Sequence, residues 1–289
     1  MDFRALLAGL AFAAMWSSAF TSARIIVTNA PPLAVSSVRF FIAGIIGVLL
    51  ARALGQTWHL TRNQWRTVLI FGFCQNAIYL GFNFFAMQTI EASLAAVIAS
   101  SMPLIVAFLG WSIFRRPLDL QSILGLLLGF AGVALIMSGR IGGGTDPIGL
   151  ALCLAGAAAL AIATLAVQGS SAQGNMLMVV GLQMFVGAIA LGIASPVFDT
   201  YEFNITPAVV IAFSYTVLVP GLLATLVWFW LVNRIGSVKA AVFHFLTPFL
   251  GVAIAALILG EQVTHRDIVG VVIITVGIIA VQTARVRTT

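Results

Sequence analysis

Charge is scarce in this sequence: Lys, Arg, Asp and Glu together make up 8% of its 289 residues. A soluble domain carries about 25%. The deficit excludes an ordinary water-facing globule, and 61% apolar residues with a mean hydropathy of +1.13 point to lipid as the solvent. Cysteine is scarce too. Cys74 and Cys153 both fall inside apolar runs, with no disulfide framework and no metal-ligand spacing. Acids are missing where they would be most telling: all eight Asp and Glu sit at the ends of apolar runs or between them. A transport mechanism that works through a buried carboxylate therefore has no carrier here. Paired catalytic residues are absent as well, with no His/Asp cluster, no HxxxxD-type pair and no G-x-S-x-G. No catalytic residue, metal or cofactor is expected.

Long apolar runs are what the chain has instead. A hydrocarbon core takes about 20 helical residues to cross. Ten runs meet that need, at 5–27, 33–53, 67–88, 92–114, 120–138, 148–168, 176–197, 207–232, 237–260 and 266–284. They are continuous rather than alternating, so the expected class is an all-α integral membrane protein with ten transmembrane helices. The first run is longer than a secretory core segment and lacks a clear cleavage site, so it reads as a retained helix.

The net charge of +6 reflects topology rather than nucleic acid binding. With the N-terminus inside, Arg4, Arg52, Arg62, Arg66, Arg115, Arg116, Arg234, Lys239, Arg285 and Arg287 fall on the inner side. Only Arg140 and Arg266 fall outside. Basic residues gather on the cytoplasmic side, so both termini are expected there.

The chain also repeats itself. Residues 90–135 lie over residues 235–280 without a gap, at a constant offset of 145 (235 minus 90). Pro103 meets Pro248, Gly125 meets Gly270 and Gly132 meets Gly277. The glycine-rich GRIGGGTDP at 139–147 separates 1–140 from 147–289, with five spans on each side. Five is odd, so the second copy enters from the opposite face, giving two inverted five-helix repeats. Such repeats commonly place a substrate site near the midplane between the halves.

These residues resemble the drug/metabolite transporter superfamily in its EamA-type branch. The likeness rests on MWSSAF in the first span, PPLAVSSVRFFIAG around the second, EASLAAVIASSMPLIVAFLG through the fourth, and VNRIGSVKAAVFHFLTPFLGVAIAALILGEQV in the second half. The family's Gly-Glu closure is present at Gly260-Glu261, while the earlier position reads Arg115-Arg116. Within the family the chain is most similar to YddG-type aromatic amino acid exporters. The resemblance implies a carrier in a bacterial inner membrane, monomeric or homodimeric, with a small metabolite as cargo.

Polar and aromatic residues within spans are the candidate substrate contacts, since lipid does not reward them. Gln75, Tyr79 and Asn83 are spaced i, i+4, i+8 on one helical face, with Asn76 beside them. Ser100 precedes Pro103, and His244 and Thr247 precede Pro248. Each proline frees a carbonyl about one turn earlier, near Ala99 and His244, and allows a bend. Pro220 and Gly221 form a third candidate bend without a paired proline. Trp16 with Ser17, and Trp228, offer flat surfaces and indole donors. Arg39, roughly 10 Å into its span, suits either a bidentate grip on a carboxylate or the capping of carbonyls. Arg24, near the outer end of its span, is expected to snorkel. Gly125, Gly129 and Gly132 make a small-residue face for packing within or between subunits.

The reading favours a carrier, an exporter or facilitator, of amino acids by alternating access at a midplane cavity. Organic anions, nucleosides or drugs are the alternative cargo. A membrane-embedded transferase is the alternative from another class.

Overall fold

The computed structural model describes residues 3–112, 119–141, 146–166, 174–235, 243 and 246–283. Among them the secondary structure is helical throughout. In chain order the helices are α1 (Phe3–Val27), α2 (Pro32–Ala53), α3 (Arg62–Ala86), α4 (Ala92–Ser112) and α5 (Leu120–Ile141). Then follow α6 (Pro147–Ala166), α7 (Met176–Phe198), α8 (residues 207–235), α9 (Thr247–Leu259) and α10 (His265–Thr283). Seven helices are long and apolar enough to cross a membrane, and Leu120–Ile136 and Thr247–Leu259 are shorter apolar helices. Large apolar side chains point outward, Leu257 at 86% exposure and Val197 at 74%. Water would penalise that surface, so its solvent is hydrocarbon.

Local chemistry sets the helix ends. Pro32 and Pro207 stand in first turns, where a missing N–H costs nothing. Thr61 and Gln64 form a capping box at the start of α3. Gly260, at φ +69°, closes α9 in the left-handed conformation that side chains resist.

Helices at corresponding places in the two halves pack on each other. The largest contacts join α2 to α7 and α5 to α10, and α4 also meets α9. The members of each pair run antiparallel. Leu33 lies at the Asp199 end of α7 while Gly44 and Gly47 meet Gly181. Along α5 and α10, Gly125 meets Gly277 and Gly132 meets Gly270. In the repeat alignment Gly125 matches Gly270 and Gly132 matches Gly277, so the contact is reciprocal, as in a two-fold interface. The remaining contacts follow the same exchange: α1 lies on α8 and α9, and α6 on α3 and α4.

Glycine makes these approaches possible. A Cβ added at Gly277 would stand 2.6 Å from the Gly125 carbonyl oxygen, and one at Gly125 would stand 2.8 Å from that of Gly277. The small-residue face of α5 is thus used within the chain.

Two helices depart from regular geometry at matched positions. Gly72–Leu80 in α3 and Val217–Leu223 in α8 are π-helical, and their first residues are 145 apart (217 minus 72). Helix α4 breaks at Ser101 and resumes at Met102, one residue before Pro103. The described part of α9 begins at Thr247, again one residue before its proline.

Candidate functional site

Three groups of buried polar side chains stand out among the described residues. The first runs along α1. Ser17 donates to the Thr247 carbonyl at 3.4 Å, linking α1 to α9. Ser18 shares a 2.7 Å hydrogen bond with the Tyr215 hydroxyl, and Thr216 donates to Ser22 at 2.8 Å, linking α1 to α8. Serine and threonine at i, i+4 on α1 (Ser17 and Thr21, Ser18 and Ser22) present this polar strip to both neighbours. The hydroxyls of Thr21 and Thr247 are buried and have no hydrogen-bond partner. At the N-terminal end of the strip Phe12 lies 5.9 Å from Trp16 and 5.0 Å from Trp228, ring centre to ring centre. Ala5, Ala13, Leu231 and Phe243 complete an apolar plug around these rings.

The second group belongs to α3. Asn76 donates to the Gln183 carbonyl of α7 at 3.1 Å. Asn83 donates to the Tyr79 carbonyl at 2.7 Å, and its own oxygen lies 3.4 Å from the Cys153 thiol of α6. The spacing of Gln75, Tyr79 and Asn83 predicts a single stripe, and Gln75 and Tyr79 lie in the π segment. Tyr79 and Asn83 are buried toward α6, while Gln75 is half-buried. The two asparagine amides therefore join helices.

The third group is Arg39 with Ser36. Arg39 is 5% exposed, and its guanidinium carbon lies 4.2 Å from the Phe40 ring centre and 4.6 Å from that of Phe84. Its Nε and Nη2 have no hydrogen-bond partner, and neither does the Ser36 hydroxyl one turn earlier. Arg39 caps no carbonyl through those atoms. Arg24, in contrast, donates to the Met87 and Ile90 carbonyls where α3 gives way to α4, at the same end of the bundle as the end of its own helix.

The remaining candidates are placed as follows. Ser100 donates to Val97 of its own helix at 2.7 Å, so its hydroxyl satisfies a carbonyl just before the break in α4. Pro220 and Gly221 lie in the π segment of α8, and Pro220 is buried. His244 lies outside the described residues. No group of three or more His, Cys, Asp and Glu suited to a metal is found among the described residues.

Sequence reasoning missed what the acids do. Glu261 accepts from the backbone N–H of Ala92 at 2.7 Å and of Ser93 at 2.9 Å, capping α4 from the other half. Asp199 accepts from Leu33 and Ala34 at 3.2 and 2.8 Å, capping α2 in the same manner. Asp146 caps α6 and accepts from the Thr89 hydroxyl at 2.9 Å. That hydroxyl and the Ile148 and Gly149 amides hold the Asp146 carboxyl below its usual range. Their confinement to span ends was the available signal, since carboxylates suit the positive ends of helices.

A bundle of apolar helices whose two halves share one pattern, with hydroxyls and a cation inside, is matched by known proteins. The family model for EamA-like transporters matches this chain twice, over residues 3–138 and 147–283. The chain belongs to the EamA-like transporter family. It is accordingly a multi-pass membrane transporter. Among its relatives is the uncharacterized transporter YvbV of Bacillus subtilis, 25% identical over 93% of this chain and 88% of that one. Protein PecM of Dickeya dadantii is 24% identical over 87% and 83%. The uncharacterized inner membrane transporter YedA of Escherichia coli K12 is 26% identical over 96% and 94%. A solved crystal structure shares the fold, with a TM-score of 0.67 at 18% identity over 97% of this chain and 96% of that one.

Proposed function

We propose that this family member carries small metabolites, amino acids above all, across a bacterial inner membrane by alternating access. Ten helices span the bilayer as two inverted five-helix repeats, 1–140 and 147–289, with both termini in the cytoplasm. The observation that carries the reading is the antiparallel, reciprocal pairing of α2 with α7, α4 with α9 and α5 with α10. Halves related in this way have two packings of equal kind, one open to each side, with a shared centre.

Amino acids suit the interior chemistry. Hydroxyls and carbonyls along α1 accept from an ammonium, and Arg39 supplies one positive charge. Trp16 and Trp228 offer flat surfaces to an apolar or aromatic side chain, which accords with the likeness to YddG-type exporters. With no carboxylate inside the spans, the carrier runs as a facilitator or exchanger, exporting where the cytoplasmic pool is larger. The naming of relatives as transporters supports a carrier over a transferase. Residues reserved for bending are Pro103, Pro248, Pro220 and Gly221.

Counterflow into proteoliposomes tests the proposal. Purified protein in vesicles preloaded with unlabelled amino acids should take up labelled ones saturably, while protein-free vesicles do not. Absence of uptake for every amino acid, from protein with an intact cooperative melt, would remove amino acids as the cargo.

A further inference from the structure

We infer that the Nε–Nη2 edge of Arg39 is a binding subsite for one carboxylate group of the transported molecule. The inference rests on the carrier reading and specifies its substrate class: small molecules with a single carboxylate.

Arginine has two edges that can grip a carboxylate through parallel hydrogen bonds, one formed by Nη1 and Nη2 and the other by Nε and Nη2. In Arg39 the atoms without partners are Nε and Nη2, both members of one such edge. The guanidinium carbon lies over the Phe40 and Phe84 rings at 4.2 and 4.6 Å. These ring contacts hold the cation and leave the Nε–Nη2 edge without a hydrogen-bond partner. Ser36, at i−3 on the same face of α2, adds a buried hydroxyl with no partner.

Depth brings a second element to the same level. Arg39 is seven residues from Pro32 at the start of α2, and Thr21 is six from Val27 at the end of α1. These put both groups roughly 10 Å from that end of the bundle. The Thr21 hydroxyl is also buried without a partner.

An unpaired buried cation is costly, and structures normally pair it or replace it. Arg24, the other arginine inside the bundle's apolar part, is satisfied by two carbonyls. Arg39 is left unsatisfied in a conformation where its edge is shut from solvent. The edge becomes reachable when α2 parts from the turn of α3 that carries Phe84. Helix α2 borders that turn, which directly follows the π segment of α3, and also borders the π segment of α8. Both are the irregular, deformable parts of their helices. One edge and one charge match a monocarboxylate. A phosphate dianion would call for a second free cation, and Arg24 is occupied by two carbonyls.

The test compares acids with their amides. Counterflow of L-phenylalanine, L-leucine and L-threonine is measured against competition by each acid and by its amide. In the wild-type protein the amides should compete about ten- to a hundred-fold more weakly, the worth of a hydrogen-bonded buried charge. Arg39→Gln should erase that preference and slow transport. Melting of Arg39→Met in detergent, without ligand, should occur no lower than wild type and should lose the rise that the acids produce. Equal competition by acids and amides overturns the subsite and leaves the carrier standing. So does an acid preference that survives in Arg39→Gln, or a ligand-free melt several degrees lower in both variants, which would mark a structural arginine. No transport by wild-type protein of any of the three acids or amides overturns the subsite and the amino acid reading together.

Discussion

A carboxylate beside a free helix N-terminus accepts hydrogen bonds from amides that would otherwise be unsatisfied, and the helix dipole adds to the attraction. Glu261 does this for α4 across the two halves, and removing the acceptor typically costs about 1 kcal/mol. Glu261→Ala should therefore lower the melting temperature in detergent by a few degrees. Glu202→Ala, at an exposed loop position, serves as the control and should melt like wild type. Asp146 adds a pH dependence. Its folded pKa lies below the ordinary value of 3.8, so its contribution is full above that value and fades as pH falls through the lower one. Melting curves of wild type and Asp146→Ala should differ at neutral pH and draw together as pH falls below 3.8. A constant gap would mean that the carboxylate charge plays no part. None of these caps was assigned from sequence, although every acid was seen to avoid the spans. A cap in trans depends on which helix end lies nearby, and that is settled only by packing.

At the scale of helices, two kinds of feature divide what was legible from what was not. Glycine spacing in α5 announced close packing, and the repeat alignment already paired Gly125 with Gly270 and Gly132 with Gly277. The crossed register, Gly125 on Gly277, needs the antiparallel arrangement and emerges only in three dimensions. At Gly277 a Cβ would meet backbone atoms of Gly125 and Gly129, which cannot turn aside. Gly277→Ala should destabilise by about 1–3 kcal/mol, as overpacking does, while Ile279→Ala on the exposed face of the same helix should have little effect. Thermal unfolding of the two variants side by side distinguishes them. The π segments were illegible. Pro220 suggested a bend in α8, but nothing comparable marks Gly72–Leu80, where the distortion comes at the same repeat position without a proline. If Pro220 holds the π geometry by withholding an N–H, Pro220→Ala should let α8 regularise. Transport would then slow with no loss of melting temperature. An unchanged rate would assign the bend to packing instead.

For the molecule as a whole, the all-helical membrane class could be read from composition, because lipid imposes length and polarity on every helix separately. The meeting of the halves could not, because it depends on pairs of residues far apart in sequence. That meeting is where alternating access is open to a physical test. Glu261 ties the start of α4 to the loop between α9 and α10, at the end of the bundle expected to face outward. If the carrier opens on that side, α4 and α9 must part there, with the break near Pro103 as a pivot in α4. A cysteine pair replacing Ala92 and Glu261, with Cys74 and Cys153 changed to alanine, places two thiols across this seam. A short bifunctional maleimide should join them and stop counterflow, while the same reagent on either single cysteine should leave most activity in place. Orientation is checked with the same background: a membrane-impermeant maleimide should label a cysteine at Glu202 in intact cells, but one at His59 only after permeabilisation. Transport that continues through the cross-link would show that this seam stays closed throughout the cycle. The moving parts would then have to be sought among the other contacts between the halves, beginning with α1 against α8, where Ser18 meets Tyr215 and Ser22 meets Thr216. These are side-chain hydrogen bonds that can exchange partners with a passing ammonium, whereas the glycine contacts of α5 with α10 have no side chain to give and must move as one body.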